Sequence, residues 1–425
     1  MRNLENILGR VRKSAELLEL GDKLIEILTS FKCIWSCDLP VKIRGKQQLI
    51  PAVRVWHRSP HNDKPTKGGI RFHPNIKLTD MQAHAIEMSL KNWLMELPFG
   101  GAKGGVAIDP GRCSKSELKA ITEKLVDELD ERNMIGPYLD VPAPDVGTNP
   151  EIMNWIRQRF AQRRRTRETA QFAGVVTGKP VGYGRDGIPG REQATGYGLI
   201  EVLEIVLRLK RISPDNMKRV AIMGFGNVGA NAARFLAQKG YEIIALGDVD
   251  GAVYRRDGFD PDELSRVKTP HELKAAKITN HELLELFDID ILLPAALENV
   301  ITEENALHVK AKIILEGANG PTTPEADEIL ESREILVIPD ILANAGGVTV
   351  SFFEWARNTG YAKDPRVPFN TEYDKSILTA MSDILKKAAV EVFEYSSKHQ
   401  LSLRQAAYTV AIKHVASLLR DKYLV

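Results

Sequence analysis

Cysteine is scarce in this chain. Cys33, Cys37 and Cys113 are the only three in 425 residues, and an odd number in a long chain argues against a secreted disulfide framework. Cys33 and Cys37 lack the two-residue spacing and the second pair of a zinc knuckle, and none of the nine histidines stands in a His-Glu-x-x-His arrangement. No metal site is expected. An excess of one charge is missing too: 58 basic residues against 56 acidic ones give no global attraction for nucleic acid or a membrane surface. The local exception, Arg163-Arg164-Arg165-Thr166-Arg167, reads as a solvated face. No apolar run approaches the ~18–20 residues that cross a bilayer, and no apolar core precedes a cleavage site near the N-terminus. Neither a membrane partner nor a signal peptide is expected, and a cytoplasmic location is the default.

What is present is an ordinary globular composition, 43% apolar and 27% charged, in a chain long enough for two or three domains. Helix and strand patterns alternate for most of it, which favours α/β architecture. Leu4, Ile7, Leu8, Val11, Ala15 and Leu18 trace one helical face. Ser114-Lys115-Ser116-Glu117 predicts a capping box opening a helix to about Arg132. Thr269-Pro270 and Thr323-Pro324 are further helix starts. From about Ile377 the pattern becomes purely helical, with Leu378, Met381, Leu385, Ala388 and Val392 in one stripe, and Ser402 with Gln405 caps a last helix to about Leu419. The densest glycine and proline cluster, 178–190, marks a domain boundary.

The segment 91–105 runs Lys-Asn-Trp-Leu-Met-Glu-Leu-Pro-Phe-Gly-Gly-Ala-Lys-Gly-Gly. Lys103 stands between two glycine pairs, Lys91 lies twelve residues earlier, and Lys67 opens a second Lys-Gly-Gly unit. Each glycine loses more backbone entropy on folding than any other residue. The expectation is therefore that backbone approaches something small while ammonium groups surround it. That points to a small anionic substrate.

The second half holds a different pattern. Arg219-Val220-Ala221-Ile222-Met223 is a short apolar strand running into Gly224-Phe225-Gly226-Asn227-Val228-Gly229. A helix rich in small residues follows from Ala230 to Lys239, then a strand from Tyr241 that ends at Gly247-Asp248. Asp248 lies nineteen residues after Gly229. Strand, glycines, helix, strand and acid in that order form a dinucleotide-binding fingerprint. Gly224 permits the turn, Gly226 lets backbone approach a pyrophosphate, and Gly229 lets helix pack on sheet. The helix N-terminus, with Asn227 and Val228, offers amides to phosphate. Asp248 is expected to bind the adenine ribose hydroxyls, favouring NAD, while Arg255 and Arg256 keep NADP open as the partners of a 2′-phosphate.

On these residues the chain resembles the glutamate, leucine, phenylalanine and valine dehydrogenase family over essentially its full length. The matching stretches are 67–74, 97–105, 140–147, 194–198, 224–229, 316–327 and 344–351. The resemblance implies a first α/β domain for substrate binding and oligomerisation over 1–186, a Rossmann-type dinucleotide domain over 187–355, and a C-terminal helical segment over 356–425 that returns to the first. It also implies a homohexamer that converts L-glutamate reversibly to 2-oxoglutarate and ammonium, with hydride passing to a nicotinamide cofactor.

Residue by residue, the family lysine falls on Lys103, which polarises the carbonyl or carbinolamine oxygen and activates water. The family aspartate falls on Asp145, which shuttles protons to and from the amino group. Lys91 corresponds to the lysine that holds the substrate α-carboxylate, with Asn344 beside that group. Lys67 and Ser351 fall where glutamate enzymes meet the side-chain carboxylate and where leucine and phenylalanine enzymes are apolar. Thr195 resembles the residue that contacts the nicotinamide amide, and Asn319 the one near its ribose. The linker 181–190 and the basic run depart from the family pattern. The competing readings are an apolar amino-acid dehydrogenase and a non-catalytic regulatory subunit of a mixed oligomer.

Overall fold

The structure, a computed structural model, describes residues 2–61, 64–164, 170–182, 186–361, 364–368 and 374–423. It divides into two compact units. One comprises Met1–Pro189, Val348–Ile377 and Ala411–Val425; the other comprises Gly190–Gly347 and Leu378–Val410. No described helix is long and apolar enough to cross a membrane.

The first unit begins with helices α1 (Arg2–Leu17) and α2 (Asp22–Thr29), and Ile7, Val11 and Ala15 of the expected α1 face are buried. Its sheet has five strands: β1 (Cys33–Ile43), β2 (Lys46–Trp56), β3 (Thr66–Phe72), β4 (Gly100–Val106) and β5 (Asp140–Pro144), in the order β1-β2-β4-β3-β5. β1 and β2 form an antiparallel hairpin and β2 runs antiparallel to β4, whereas β3 is parallel to both β4 and β5. Parallel neighbours need crossovers, and helices α3 (Leu78–Leu94) and α4 (Lys115–Glu131) supply them. The capping box at Ser114 forms as expected: Ser114 Oγ accepts from Glu117 N and Glu117 Oε2 from Ser114 N. Helix α5 (Pro150–Arg163) is capped by Asn149 and packs on α4. The apolar sides of β1–β4, α4 and α5 close one core around Leu39, Phe72, Val106, Leu125, Met153 and Ile156.

The basic run has a structural use where it is described. Arg163 Nε lies 2.8 Å from Asp130 and Arg164 Nη2 2.7 Å from the same carboxylate, and Arg163 also reaches Asp127. These charges neutralise the acidic side of α4. Arg165, Thr166 and Arg167 lie outside the described residues.

The second unit holds a seven-stranded sheet: β6 (Arg219–Met223), β7 (Glu242–Asp248), β8 (Gly251–Tyr254), β9 (Ala276–Ile278), β10 (Ile291–Pro294), β11 (Ile313–Leu315) and β12 (Leu336–Ile338). Its order is β12-β11-β10-β6-β7-β8-β9. The five strands from β12 to β7 are parallel, and β8 and β9 add an antiparallel edge. The parallel strands are continuous apolar runs because both faces are covered: β6, β7, β10 and β11 are almost entirely buried. The helix expected at Thr269 is a single 3-10 turn, Pro270–Glu272, because Leu273 is already extended and the chain enters β9 at Ala276. Thr323 does cap a full helix, Pro324–Ser332. The last helix runs Leu403–Tyr423, beyond the expected end, and Ser402 Oγ accepts from Gln405 N.

Candidate active site

Alternation along parallel strands assembles the first cluster. The register pairs Lys67 with Gly101 on one side and Val141 on the other. Successive side chains point to opposite faces, so Lys67, Gly69, Arg71, Lys103 and the residue at 145 share one face. Asp145 follows β5 in a turn in which its backbone N–H donates to Thr148 Oγ1 at 2.8 Å and its Oδ1 accepts from Val146 N at 2.9 Å. Helix α5 takes Asn149 as its cap, leaving the Asp145 carboxylate for the face. There Lys103 Nζ donates to Asp145 Oδ2, and Arg71 Nε donates to Oδ1 at 2.8 Å.

Burial alone raises the proton affinity of Asp145, but the Lys103 and Arg71 charges and hydrogen bonds outweigh it and hold the carboxyl well below its usual range. The pair is thus an ammonium–carboxylate ion pair in a nearly closed site, with side-chain exposures of 3% and 12%. Arg71 was not anticipated. Its signal in the sequence was its place four residues after Lys67 in a strand, a spacing that returns to the same face.

Lys67 and Lys91 are buried as well. Lys91 stands in the last turn of α3, whose backbone lies against β4: a Cβ added at Gly101 would come within 2.1 Å of Ala85 O and 2.3 Å of Ser89 N. One turn before Lys91, the buried Glu87 carboxylate takes a 2.8 Å hydrogen bond from His84 Nδ1. Burial pushes its pKa up, yet His84, Lys91 and Lys103 together bring it below the ordinary value. Glu87 was also missed, since a lone glutamate on an apolar helix face has no pattern of its own.

The expectation that the glycine pairs let a small ligand approach is corrected here. The protein's own atoms occupy the space. A Cβ at Gly68 would lie 1.6 Å from Ala102 O, and one at Gly104 2.6 Å from Val53 O and 2.8 Å from Arg54 Cδ. Of these residues Gly69 borders the ion pair: a Cβ there would lie 2.6 Å from Asp145 Oδ2. The glycines allow strands and helix to close tightly enough to bring the lysines together.

Ser351 lies in the helix Gly346–Thr359, and it is buried. Packing of Val348, Val350, Phe352 and Phe353 at helical spacing overrides their β-branched and aromatic character. One turn on, the Glu354 carboxylate accepts from Lys179 Nζ at 2.7 Å and from Gly178 N at 2.9 and 3.0 Å, which ties this helix to the start of the glycine-rich segment. Tyr183, Gly184 and Arg185 of that segment lie outside the described residues.

In the second unit the glycine turn joins β6 to the helix Asn227–Gln238. Gly224 has φ +111°, a conformation that L side chains rarely adopt, and a Cβ there would lie 2.7 Å from Ala295 C and Ala296 N. Gly229 would meet Gly224 O at 1.8 Å, whereas Gly226 faces open space. The turn stands beside the end of β10, where the strand order reverses and open parallel sheets bind their ligands. Free N–H groups at Asn227 and Val228 head the helix, and Asn227 Nδ2 donates to Glu192 O at 2.9 Å. These features fit the pyrophosphate of a dinucleotide.

Asp248 ends β7, where its Oδ1 accepts from Asp250 N at 2.9 Å and from His271 Nε2 at 3.0 Å. Arg255 and Arg256 do not reach it. β8 runs antiparallel to β7, and Arg255 N donates to Ile244 O, four residues back along β7 from Asp248. At ~3.3 Å per residue that is about 13 Å. Arg255 is held there by Glu263 and Lys274 O, so the expected partners of a 2′-phosphate stand at the wrong end of the hairpin.

Asn344 Nδ2 donates to Asn319 Oδ1 and to the carbonyls of Gly317 and Ala318, each at 3.1 Å, at the C-terminal side of β11. Arg404 backs this loop. Its guanidinium grips Glu316 at 2.7 and 2.8 Å, and Asp340, whose N–H bonds Glu316, accepts in turn from Gly320 N at 2.9 Å. Thr195 lies within the helix Arg191–Leu209, where a Cβ on Gly347 would meet its Oγ1 at 2.7 Å; it is not that helix's cap. Among the described residues no group of three or more His, Cys, Asp or Glu could hold a metal ion.

A Rossmann-type sheet with its glycine turn, together with a buried lysine–aspartate pair, defines a nicotinamide-dependent dehydrogenase. The chain belongs to the Glutamate/Leucine/Phenylalanine/Valine dehydrogenase family, whose model matches residues 186–422, and the Glu/Leu/Phe/Val dehydrogenase dimerisation domain matches 32–162. It is 42% identical to the glutamate dehydrogenase of Thermotoga maritima over 419 residues, covering 97% of this chain and 96% of that one. It is 38% identical to the NAD-specific glutamate dehydrogenase A of Halobacterium salinarum, covering 97% and 92%. Among solved structures, the hetero-hexameric glutamate dehydrogenase of Thermus thermophilus in a leucine-bound form superposes with a TM-score of 0.89 at 27% identity, covering 99% of this chain and 97% of that one.

Proposed function

We propose that this chain catalyses the reversible oxidative deamination of L-glutamate to 2-oxoglutarate and ammonium, with NAD preferred over NADP as cofactor. The observation that carries the proposal is the Lys103–Asp145 ion pair on the sheet face that also presents Lys67. Full-length similarity to glutamate dehydrogenases supports it.

The nicotinamide ring supplies the hydride acceptor when the cofactor is bound. The chain's own residues manage charge and protons. Asp145, ionised between Lys103 and Arg71, accepts a proton from the substrate ammonium and frees the amine lone pair. Lys103, as an ammonium, polarises the water that adds to the imine carbon and donates a hydrogen bond to the resulting carbinolamine oxygen, while the water's proton passes to solvent. Asp145 then returns its proton to the departing nitrogen as the carbinolamine hydroxyl gives its own to solvent; the nitrogen leaves as ammonia and is protonated there. Lys91 holds the α-carboxylate. The buried ammonium of Lys67 and hydroxyl of Ser351 favour a side chain that ends in a carboxylate, because a methyl-ended one forfeits a charge-assisted hydrogen bond in a desolvated site.

In the second unit Gly224, Gly226 and Gly229, with the amides of Asn227 and Val228, hold the pyrophosphate. Asp248 binds the adenine ribose, and Thr195 and Asn319 serve the nicotinamide end. The assembly proposed is a homohexamer built through the first unit; the dimerisation-domain match there and the hetero-hexameric relative support an oligomer.

The test is a matrix of initial rates for glutamate, leucine and phenylalanine with NAD and with NADP. Glutamate with NAD should be fastest. A leucine-to-glutamate ratio above one would overturn the substrate, and turnover with NADP alone would overturn the role of Asp248. Lys103→Ala should abolish turnover while cofactor binding persists; retention of a tenth of the activity would remove Lys103 from its role.

A further inference from the structure

The Asp248 carboxylate is held by a second side chain that lies 23 residues away in sequence. Among the described residues, His271 is the one side chain hydrogen-bonded to the Asp248 carboxylate, through Nε2 at 3.0 Å to Oδ1. A carboxylate only accepts, so Nε2 carries the hydrogen whether the ring is neutral or protonated. Asp250 N–H occupies the same oxygen at 2.9 Å, which leaves Oδ2 for a ribose hydroxyl. The histidine is fixed from its own side. It sits in the Pro270–Glu272 turn, and Thr269 N–H donates to Glu272 Oε1 at 3.0 Å. Asp248 is fixed as well, since its backbone oxygen accepts from Asn280 Nδ2 at 2.8 Å. Arg255 and Arg256, the obvious phosphate partners by sequence, are at the far end of the hairpin.

We propose that His271 is a specificity-determining residue for the cofactor: it orients Asp248 toward the ribose diol, and it is the donor that meets a 2′-phosphate once the Asp248 carboxylate is gone. This rests on the assignment of Asp248 to the adenine ribose. With the carboxylate present, a 2′-phosphate faces like charge and finds the His271 N–H engaged. Without it, an imidazole N–H stands within reach of the position the phosphate enters.

Equilibrium titrations of NADH and NADPH by nucleotide fluorescence test this in the wild type, His271→Ala, Asp248→Ser and the double variant, each checked for native circular dichroism. If Asp248→Ser misfolds, Asp248→Asn serves in its place. His271→Ala should weaken NADH about threefold without tightening NADPH, as loss of an orienting hydrogen bond does. Asp248→Ser should tighten NADPH about tenfold, and adding His271→Ala should remove at least about fivefold of that gain, a coupling expected only of residues in contact. An undiminished NADPH gain in the double variant overturns the role of His271 and leaves Asp248 standing. A wild type that prefers NADPH, or an Asp248→Ser variant with an unchanged NADH-to-NADPH ratio, overturns the assignment of Asp248 and this proposal with it.

Discussion

Arg54 and Asp140, 86 residues apart, form a fully buried bidentate pair on the sheet face opposite Lys103, with Nε 2.7 Å from Oδ2 and Nη2 2.8 Å from Oδ1. The same guanidinium donates to the carbonyls of Gly69 and Gly68 at 2.9 and 3.3 Å. Gly104 makes this possible, because a side chain there would displace Arg54. The pair thus braces β3 from behind, directly under Lys67.

Breaking it should be costly. Arg54→Met strands the Asp140 carboxylate, and the loss expected for an uncompensated buried charge is about 3–5 kcal/mol. The double variant Arg54→Met/Asp140→Leu should lose less than Arg54→Met alone, because neither charge remains. Urea unfolding of the three proteins decides it; a double variant less stable than the single would show that packing, not charge, dominates here. Since β3 carries Lys67, KM for glutamate should rise in the single variant more than kcat falls.

Asp145 is ionised because two cations outweigh burial. Its folded-state pKa lies below the unfolded value, so its contribution to stability is complete above the unfolded carboxylate range and is lost as pH falls toward the folded value. Arg71→Leu removes one cation. The acid limb of kcat/KM should move upward by about one unit, the scale of a single ion-pair partner. Asp145→Asn should lower kcat by 10²–10⁴-fold, roughly the range for a general acid–base group. An acid limb unmoved in Arg71→Leu would mean that Lys103 alone sets the ionisation.

Local signals in the sequence carried much of this molecule, and tertiary ones did not. The turn from Gly224 to Gly229, the strands around it and the Ser114 capping box depend on residues within one or two turns of each other, and they were legible. Lys67, Lys103 and Asp145 were legible as motifs, but their shared face follows from strand register, which a motif does not state. Arg54–Asp140 and His271–Asp248 depend on pairings across 86 and 23 residues, and nothing local marks either pairing. Arg255 and Arg256 misled for the converse reason: close in sequence to Asp248, they are carried away by the hairpin.

The cofactor turn separates two uses of glycine that look alike in sequence. Gly229→Ala places a methyl 1.8 Å from Gly224 O, a backbone atom that cannot yield, so thermal stability should fall by about 2 kcal/mol or more. Gly226→Ala meets no protein atom within 4 Å. Its melting temperature should be nearly unchanged, while the NADH dissociation constant rises about tenfold because the methyl fills space left for the pyrophosphate. Differential scanning fluorimetry and NADH titration on both variants suffice. Unchanged NADH affinity in Gly226→Ala would dissociate the turn from phosphate binding.

His57 gives the first unit a sensitivity to acid. Its Nε2 lies 2.9 Å from Leu28 O, which can only accept, so Nε2 carries the hydrogen and Nδ1 accepts from Ser89 Oγ at 2.7 Å. Ser89 Oγ in turn accepts from Gly101 N at 2.8 Å, fastening β4 to α3. Burial, opposed by the Leu28 bond and aided by the Arg58 charge, lowers the histidine to about 4 from 6.5. Between those values the unfolded chain binds more protons than the folded one, so stability falls as pH drops from 6.5 toward 4, by on the order of 3 kcal/mol in all. His57→Gln removes the titration. The wild type should therefore lose that much more than the variant in urea midpoints taken at pH 7 and pH 4. Protonation also deprives Ser89 of its acceptor beside Gly101, two residues from Lys103, so kcat should decline over the same window in the wild type and less steeply in the variant. Parallel stability profiles for the two proteins would show that His57 is not the group that titrates.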